Sequence, residues 1–253
     1  MYKEKGGLST KTLKAYGKTD IGRVRTSNQD SFVCGILSDN ALFAVVCDGM
    51  GGANGGNVAS AIAVRTLADR IIDIYRDGQT GNSIKNLIES AITAANIDIF
   101  DTAMASPELR GMGTTVVAAI IIDRTLYLAH VGDSRAYIDS SDGVLQITRD
   151  HSIVQDMVEK GKLTRDEAKT HPRKHFITRA LGVDQSVECD YTEITLEDNT
   201  GILICTDGLT NMVDSDEIHR LINTKEPAAV PDALIHAANM AGGSDNITAV
   251  LIA

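Results

Sequence analysis

The chain has 253 residues, 43% of them apolar, and a formal net charge of −10 from 24 basic and 34 acidic side chains. That length and apolar share suit one large domain with a filled core, and the acidic balance without a Lys/Arg-rich run argues against nucleic acid or an anionic membrane surface as the main partner. No stretch approaches the ~18 apolar residues of a membrane span, and the N-terminal "MYKEKGGLSTKTLKAYG" lacks an apolar core of signal-peptide length, so a cytoplasmic protein is expected.

In chain order, runs rich in branched residues and bounded by Gly, Asp or Asn predict strands at Asp30 to Leu37 and Ala41 to Cys47. Two long helices follow. Asn57 to Tyr75 places Val58, Ile62, Leu67 and Ile71 on one face, and Ser83 to Met104 does so with Ile84, Leu87, Ile88, Ile92 and Ala95. Strands at Thr114 to Ile122, Thr125 to Val131, Arg135 to Ile138 and Val144 to Ile147, with turn dipeptides at Asp123-Arg124 and Asp142-Gly143, read as an antiparallel meander. Helices are expected at Ile153 to Lys160 and Arg165 to Thr170, and again at Ser215 to Ile222 and Pro231 to Met240. The remaining strands are Glu188 to Leu196, Gly201 to Thr206 and Asn246 to Ile252. Strands in meanders and helices in pairs indicate an α+β protein, antiparallel sheets covered by helices, rather than a parallel doubly wound sheet. With no Pro/Ser-rich linker or like-charge block, residues 1–253 read as a single domain. Cys34, Cys47, Cys189 and Cys205 show no C-x-x-C spacing and sit in apolar contexts, which predicts buried free thiols in a reducing compartment.

The stretch "LFAVVCDGMGGANGG" (Leu42 to Gly56) runs an apolar strand into an aspartate and a glycine-rich coil. A dinucleotide-binding loop is excluded by spacing, because the third glycine falls on Asn54, and by Asp48, which stands where a pyrophosphate needs amides and no negative charge. A P-loop reading of "YGKTD" fails because Thr12 occupies the position of the first glycine. Taken singly, Asp48-Gly49 and Asp207-Gly208 fit turn dipeptides. Asp133 and Asp245 change the balance: four aspartates sit at the ends of four apolar strands, where a sheet scaffold places carboxylates at one rim. An all-oxygen donor set suits Mg²⁺ or Mn²⁺ rather than Zn²⁺ or copper.

The combination "GRVRTSNQDS" (Gly22 to Ser31), "CDGMGG", "GMGTT", "VGDSR", "TRDHS", "THPRKHFITRALG", "CTDGL" and "SDNIT" (Ser244 to Thr248), in this order, resembles the metal-dependent protein phosphatases, most closely the bacterial serine/threonine phosphatases of the type 2C group. The resemblance implies a four-layer α-β-β-α sandwich, two antiparallel sheets flanked by helix pairs, with two Mn²⁺ or Mg²⁺ ions at one end. It implies that Asp48 bridges both ions, that the Gly49 carbonyl completes one ion's ligands, that Asp207 and Asp245 hold the second, and that Asp133 joins Asp207 at a weaker third site. Asp30, flanked by Gln29, matches a carboxylate that holds metal-bound water, with Asn246 beside Asp245 in the same supporting layer. Arg25 matches the arginine that grips the substrate phosphate, whose planar fork lysine cannot copy. A metal-bridging hydroxide would then attack phosphoserine or phosphothreonine directly, with no phosphoenzyme and no role for a cysteine nucleophile.

Two positions depart from the family pattern. Gln29 stands where many relatives carry Glu, and Met50 stands where the eukaryotic type has a histidine proposed as general acid, so that acid is unassigned and a metal-bound water could serve. Residues Asp150 to Gly182 match the flap beside the active site, whose Arg173, Lys174, Arg179, His171 and His175 either meet a phosphopeptide or form a solvated face. The expected function is a protein phosphatase opposing a bacterial Ser/Thr kinase and acting as a monomer on phosphorylated proteins. The alternatives are a catalytically weak phosphoprotein-binding regulator, a phosphatase specialised for an anti-sigma antagonist, and a two-metal phosphodiesterase or nuclease, the last disfavoured by the net charge.

Overall fold

A computed structural model of the chain describes residues 13–198 and 200–253; residues 1–12, most of the segment read for a targeting signal, lie outside them. The strands are β1 (Ala15–Asp20), β2 (Asp30–Ser38), β3 (Ala41–Met50), β4 (Gly113–Thr114), β5 (Val116–Ile122), β6 (Thr125–Val131), β7 (Arg135–Ser140), β8 (Gly143–Gln146), β9 (Asp190–Thr195), β10 (Gly201–Cys205) and β11 (Ile247–Ile252). The helices are α1 (Gly52–Ile74), α2 (Asn82–Ala105), α3 (Ile153–Glu159), α4 (Arg165–Thr170), α5 (Asp207–Thr210), α6 (Ser215–Thr224) and α7 (Val230–Met240). One sheet has the order β1-β11-β10-β7-β8 and the other β2-β3-β5-β6-β9, with β4 paired to β3; every pairing is antiparallel.

The side-chain period of two sets the layers. In β3, Phe43, Val45 and Cys47 pack on the α1–α2 pair, while Leu42, Ala44 and Val46 face the other sheet. In β10, Ile202 and Ile204 fill the space between the sheets, and Leu203 and Cys205 pack outward under α6 and α7. Both faces of each central strand are therefore buried, which is why these strands read as continuous apolar runs rather than as alternation. The result is the four-layer α-β-β-α sandwich expected from the resemblance.

Two expectations are corrected and one unread strand is added. The meander is split: the β5–β6 hairpin lies in one sheet and the β7–β8 hairpin in the other, and the chain crosses between them at Gly132–Ser134. Gly132, at φ +105°, turns the backbone there, and a side chain would run into Thr115. Helix α1 begins at Gly52 rather than Asn57, because the glycines of its first turn pack closely: a methyl on Gly56 would stand 2.7 Å from Gln29 Oε1, and one on Gly55 2.9 Å from Met112 Cβ. Close packing there overrides glycine's poor helix propensity. Strand β1, half-exposed at the sheet edge against β11, carries too little apolar alternation to be seen in the sequence.

Candidate active site

Two pairs of carboxylates converge at one rim of the sandwich, one from each sheet. Asp48 lies within β3, directly opposite Asp30 of β2. Its backbone is locked: its N–H donates to Thr115 Oγ1 at 2.9 Å, and its carbonyl accepts from the Thr115 N–H at 2.9 Å and from Thr114 Oγ1 at 2.8 Å. The Gly49 N–H donates to the Gln29 carbonyl at 3.1 Å, and a side chain on Gly49 would overlap the Gly56 carbonyl. From the other sheet, Asp207 opens the single-turn helix α5 after β10, and Asp245 stands two residues before β11. Gly208 passes against the Asn246 backbone.

Buried Asn246 fastens the neighbouring loop. Its Oδ1 accepts from the Gln29 N–H at 2.8 Å, and its Nδ2 donates to the Ile21 and Ser27 carbonyls at 3.0 Å. That loop carries Arg25, whose guanidinium donates to Asp245 Oδ2 at 2.7 Å while its side chain stays 52% exposed. One nitrogen of the fork is thus engaged by a rim carboxylate, and the remaining edge is open to an incoming anion.

The electrostatics follow from burial. Asp30 is buried; burial and the charges of Asp207 and Asp245 raise its pKa to about 7 against the pull of hydrogen bonds donated to Oδ2 by Thr248 (2.7 Å) and Thr206 (2.9 Å). Its other oxygen, Oδ1, is buried without a hydrogen-bond partner among the described residues. Asp48 is half-buried at the end of β3, and burial first, then Asp30, Asp207, Asp133 and Asp245, pushes its carboxyl well up. Asp133 rises to about 8, from burial and then Asp207 and Asp150, despite Arg135. Carboxylates that raise one another's pKa, with an unsatisfied buried oxygen among them, form a site short of positive charge. An all-oxygen donor set of this kind fits Mg²⁺ or Mn²⁺.

A second grouping, His130, His151 and Asp190, brings ring nitrogens and a carboxylate within 4.8 Å of one another. Its donor atoms are already engaged. His130 Nε2 donates to the Arg149 carbonyl (2.7 Å), and His151 Nδ1 accepts from the Gly132 N–H (3.1 Å), which leaves the proton on Nε2 facing Asp190 at 3.3 Å. The Arg179 guanidinium, 2.8 Å from Asp190, supplies the positive charge there. Burial holds both histidines below their ordinary pKa. We read the grouping as a structural clasp: His151 also donates its N–H to the Gly132 carbonyl (2.9 Å) and accepts from the Thr178 N–H (2.7 Å), joining the Asp133 loop to the flap segment.

Of the residues singled out in the sequence, Arg25, Gln29, Asp30, Asp48, Gly49, Asp207, Asp245 and Asn246 share this rim, and Asp133 borders it. The Gln29 amide donates to the Gly52 carbonyl at 2.8 Å, holding the start of α1. Among the flap residues, His175 has Nδ1 4.0 Å from Asp207 Oδ2, Arg173 is exposed and Arg179 is paired with Asp190. Burial raises the Cys34 and Cys47 thiols, which leaves them inert. Sequence reasoning missed Thr206 and Thr248, which hold Asp30, and Asn211, which donates to Asp207 Oδ2 at 2.9 Å. The signal available for Thr206 was its place between a buried strand and Asp207.

Comparison with known proteins gives one answer. The family model for Protein phosphatase 2C matches residues 21–236. The Serine/threonine phosphatase stp of Listeria innocua is 37% identical over 244 residues, covering 95% of each chain. The solved structure of the Streptococcus agalactiae serine/threonine phosphatase superposes with a TM-score of 0.89 at 34% identity, over 95% of this chain and 98% of that one. The catalytic domain of the serine threonine protein phosphatase PstP, solved in complex with 2 manganese ions, matches with a TM-score of 0.82 at 33% identity, over 95% and 97%.

Proposed function

The chain belongs to the protein phosphatase 2C family, and from that premise we propose how its rim residues carry out the family's reaction. It is a metal-dependent serine/threonine protein phosphatase that uses Mn²⁺ or Mg²⁺ and acts on phosphorylated proteins. In our reading Asp48, the Gly49 carbonyl, Asp207 and Asp245 hold two cations, and Asp133 with Asp207 holds a weaker third. When bound, the cations neutralise the phosphate and acidify a water enough to make it a nucleophile near neutral pH. The chain's own residues do the rest. Arg25, tethered by Asp245, presents its free edge to two phosphate oxygens and orients the group for in-line attack. Asp30, held by Thr206 and Thr248 with Oδ1 unpartnered, accepts a hydrogen bond from water at the site, and Gln29 and Asn246 keep the Arg25 loop in register.

The observation that carries this assignment is the convergence of Asp48, Asp133, Asp207 and Asp245, with Asp30 behind them, at a rim short of positive charge. We further propose that residues 1–253 act as one domain whose flap spans about 150–182. On the same reading the protein is a cytoplasmic monomer that opposes a bacterial Ser/Thr kinase; among the described residues no helix is long and apolar enough to cross a membrane. The test is Mn²⁺-dependent hydrolysis of a phosphothreonine peptide by wild type and Asp207→Asn, with a phosphodiester as control. Turnover of the monoester alone, abolished by chelator and by Asp207→Asn, is expected. Turnover indifferent to either would overturn the assignment.

A further inference from the structure

A cavity of about 390 Å³ opens beside the rim, between the C-terminal half of α2 (Phe100, Ala103, Met104), the turn at Arg110–Gly111 and the end of the flap at Gly182–Val183. Its volume is within the ~300–1,000 Å³ of ligand-binding clefts. Met104 is 60% and Val183 46% exposed, so large apolar surface faces solvent there. Arg110, also exposed, has no salt-bridge partner among the described residues.

The walls are built and are continuous with the catalytic rim. Buried Asn96 of α2 accepts from the Gly182 N–H at 2.8 Å and donates to the Asp184 and Gln185 carbonyls at 3.0 and 3.2 Å, which pins the Val183 turn. Leu181 and Thr114 exchange two backbone hydrogen bonds, at 3.1 and 2.8 Å, and Thr114 lies opposite Gly49 in the β3–β4 pair. A methyl on buried Gly113 would meet the Leu181 carbonyl oxygen at 2.8 Å and Met50 Cε and Val183 Cγ2 both at 3.0 Å, so Met50, two residues after Asp48, and Val183 of the cavity flank the same point. Gly111 is three residues from Thr114; at roughly 3.3–3.6 Å per residue plus ~5 Å across the strands, the cavity mouth is within about 15 Å of Gly49. That is the reach of about four extended residues of a bound peptide.

Resting on the phosphatase reading above, we propose that this cavity is a substrate subsite that takes one large apolar side chain of the phosphoprotein, three or four residues from the phosphorylated residue. Arg110, the basic residue among those lining the cavity, faces an acidic neighbour of that side chain.

The experiment walks a leucine through an Ala/Ser phosphothreonine peptide, four to five positions either side, and measures kcat/KM for wild type, Val183→Asp and Arg110→Glu, with p-nitrophenyl phosphate in parallel. Wild type should show about a tenfold preference at one position three or four residues out, as burial of one side chain gives. Val183→Asp should abolish it, and Arg110→Glu should abolish the further gain from an adjacent glutamate, both with p-nitrophenyl phosphate turnover unchanged. A flat wild-type profile with normal p-nitrophenyl phosphate turnover would overturn the subsite alone, as would a preference that survives Val183→Asp. No turnover of either substrate would overturn the phosphatase reading and the subsite with it.

Discussion

Gly208→Ala tests whether the contact between the two sheet-end loops sets the geometry of the rim. A methyl at this position would overlap the Asn246 carbonyl oxygen and stand 3.0 Å from the Asn246 carbonyl carbon and 3.4 Å from Asp245 Cβ. The overlap with the carbonyl oxygen is the deepest of these contacts, and non-bonded heavy atoms pack at ~3.5 Å, so the Asp207–Gly208 turn must move away from Asp245–Asn246 by more than ~1 Å. Overpacking of this kind costs about 1–3 kcal/mol, which for a chain of this size lowers Tm by roughly 2–12 °C. The functional effect should be larger. Asp207 and Asp245 would separate by half or more of a ~2.0–2.1 Å metal–oxygen bond, and misplacement by ~1 Å costs on the order of 100-fold in rate. Mn²⁺ titration followed by electron paramagnetic resonance should show weakened binding, and kcat/KM on p-nitrophenyl phosphate should fall ~100-fold, partly restored by excess Mn²⁺. Gly201→Ala is the control, because a methyl there meets its nearest atom at 3.7 Å. Wild-type Mn²⁺ affinity in Gly208→Ala would refute the reasoning.

Arg25→Lys should lower kcat/KM on p-nitrophenyl phosphate by ~10–100-fold, since a charge-assisted hydrogen bond contributes ~1.5–3 kcal/mol and lysine cannot span two oxygens; a wild-type value would remove the bidentate grip. Asp30, at about 7, and Asp133, at about 8, are raised above the ordinary carboxyl range, so their contribution to stability is full below pH ~4 and is lost as pH rises through 7 to 8. The Tm of metal-free protein should therefore fall between pH 5 and pH 8, Asp30→Asn should flatten that slope, and Mn²⁺ should stabilise more at pH 8 than at pH 5. A metal-free Tm that climbs across this interval would contradict the charge assignment. Burial raises the Cys34, Cys47 and Cys205 thiols, so iodoacetamide at pH 7.5 should leave turnover of the folded enzyme unchanged, and inactivation would reopen the case for a thiol nucleophile.

The rim aspartates are legible in the sequence because each stands next to an apolar run that the fold buries on both faces, and a charge in that setting needs a compensating partner. The layers are legible for the same reason. Sheet membership is less so: the turn chemistry at Asp123 and Gly143 specifies two hairpins, but nothing in "HVGDSR" reveals that the chain leaves one sheet for the other between them. That depends on Gly132 fitting against Thr115, a contact between elements. Thr206 and Thr248 are 42 residues apart, and only the β10–β11 pairing brings both hydroxyls to Asp30. The early start of α1 is hidden too, since close packing against Met112 and Gln29 selects glycines that propensity alone would exclude from a helix.

The way Asp30 is held explains how the fold tolerates so acidic a rim. Asp30 belongs to the sheet that carries Asp48, yet both hydroxyls that donate to it come from the sheet that carries Asp207 and Asp245. Asn246 repeats the pattern, reaching from the end of β11 to Gln29 beside β2. Repulsion among the carboxylates pushes the two sheet ends apart, and neutral donors already cross that boundary to oppose it. A cation held, as proposed, by Asp48 from one sheet and by Asp207 and Asp245 from the other would pull across the same boundary. On that assignment cation binding and closure of the sandwich at this end would be coupled. The Thr206 and Thr248 hydroxyls favour the charged form of Asp30 against its burial, so the rim keeps an acceptor oxygen there while remaining short of positive charge.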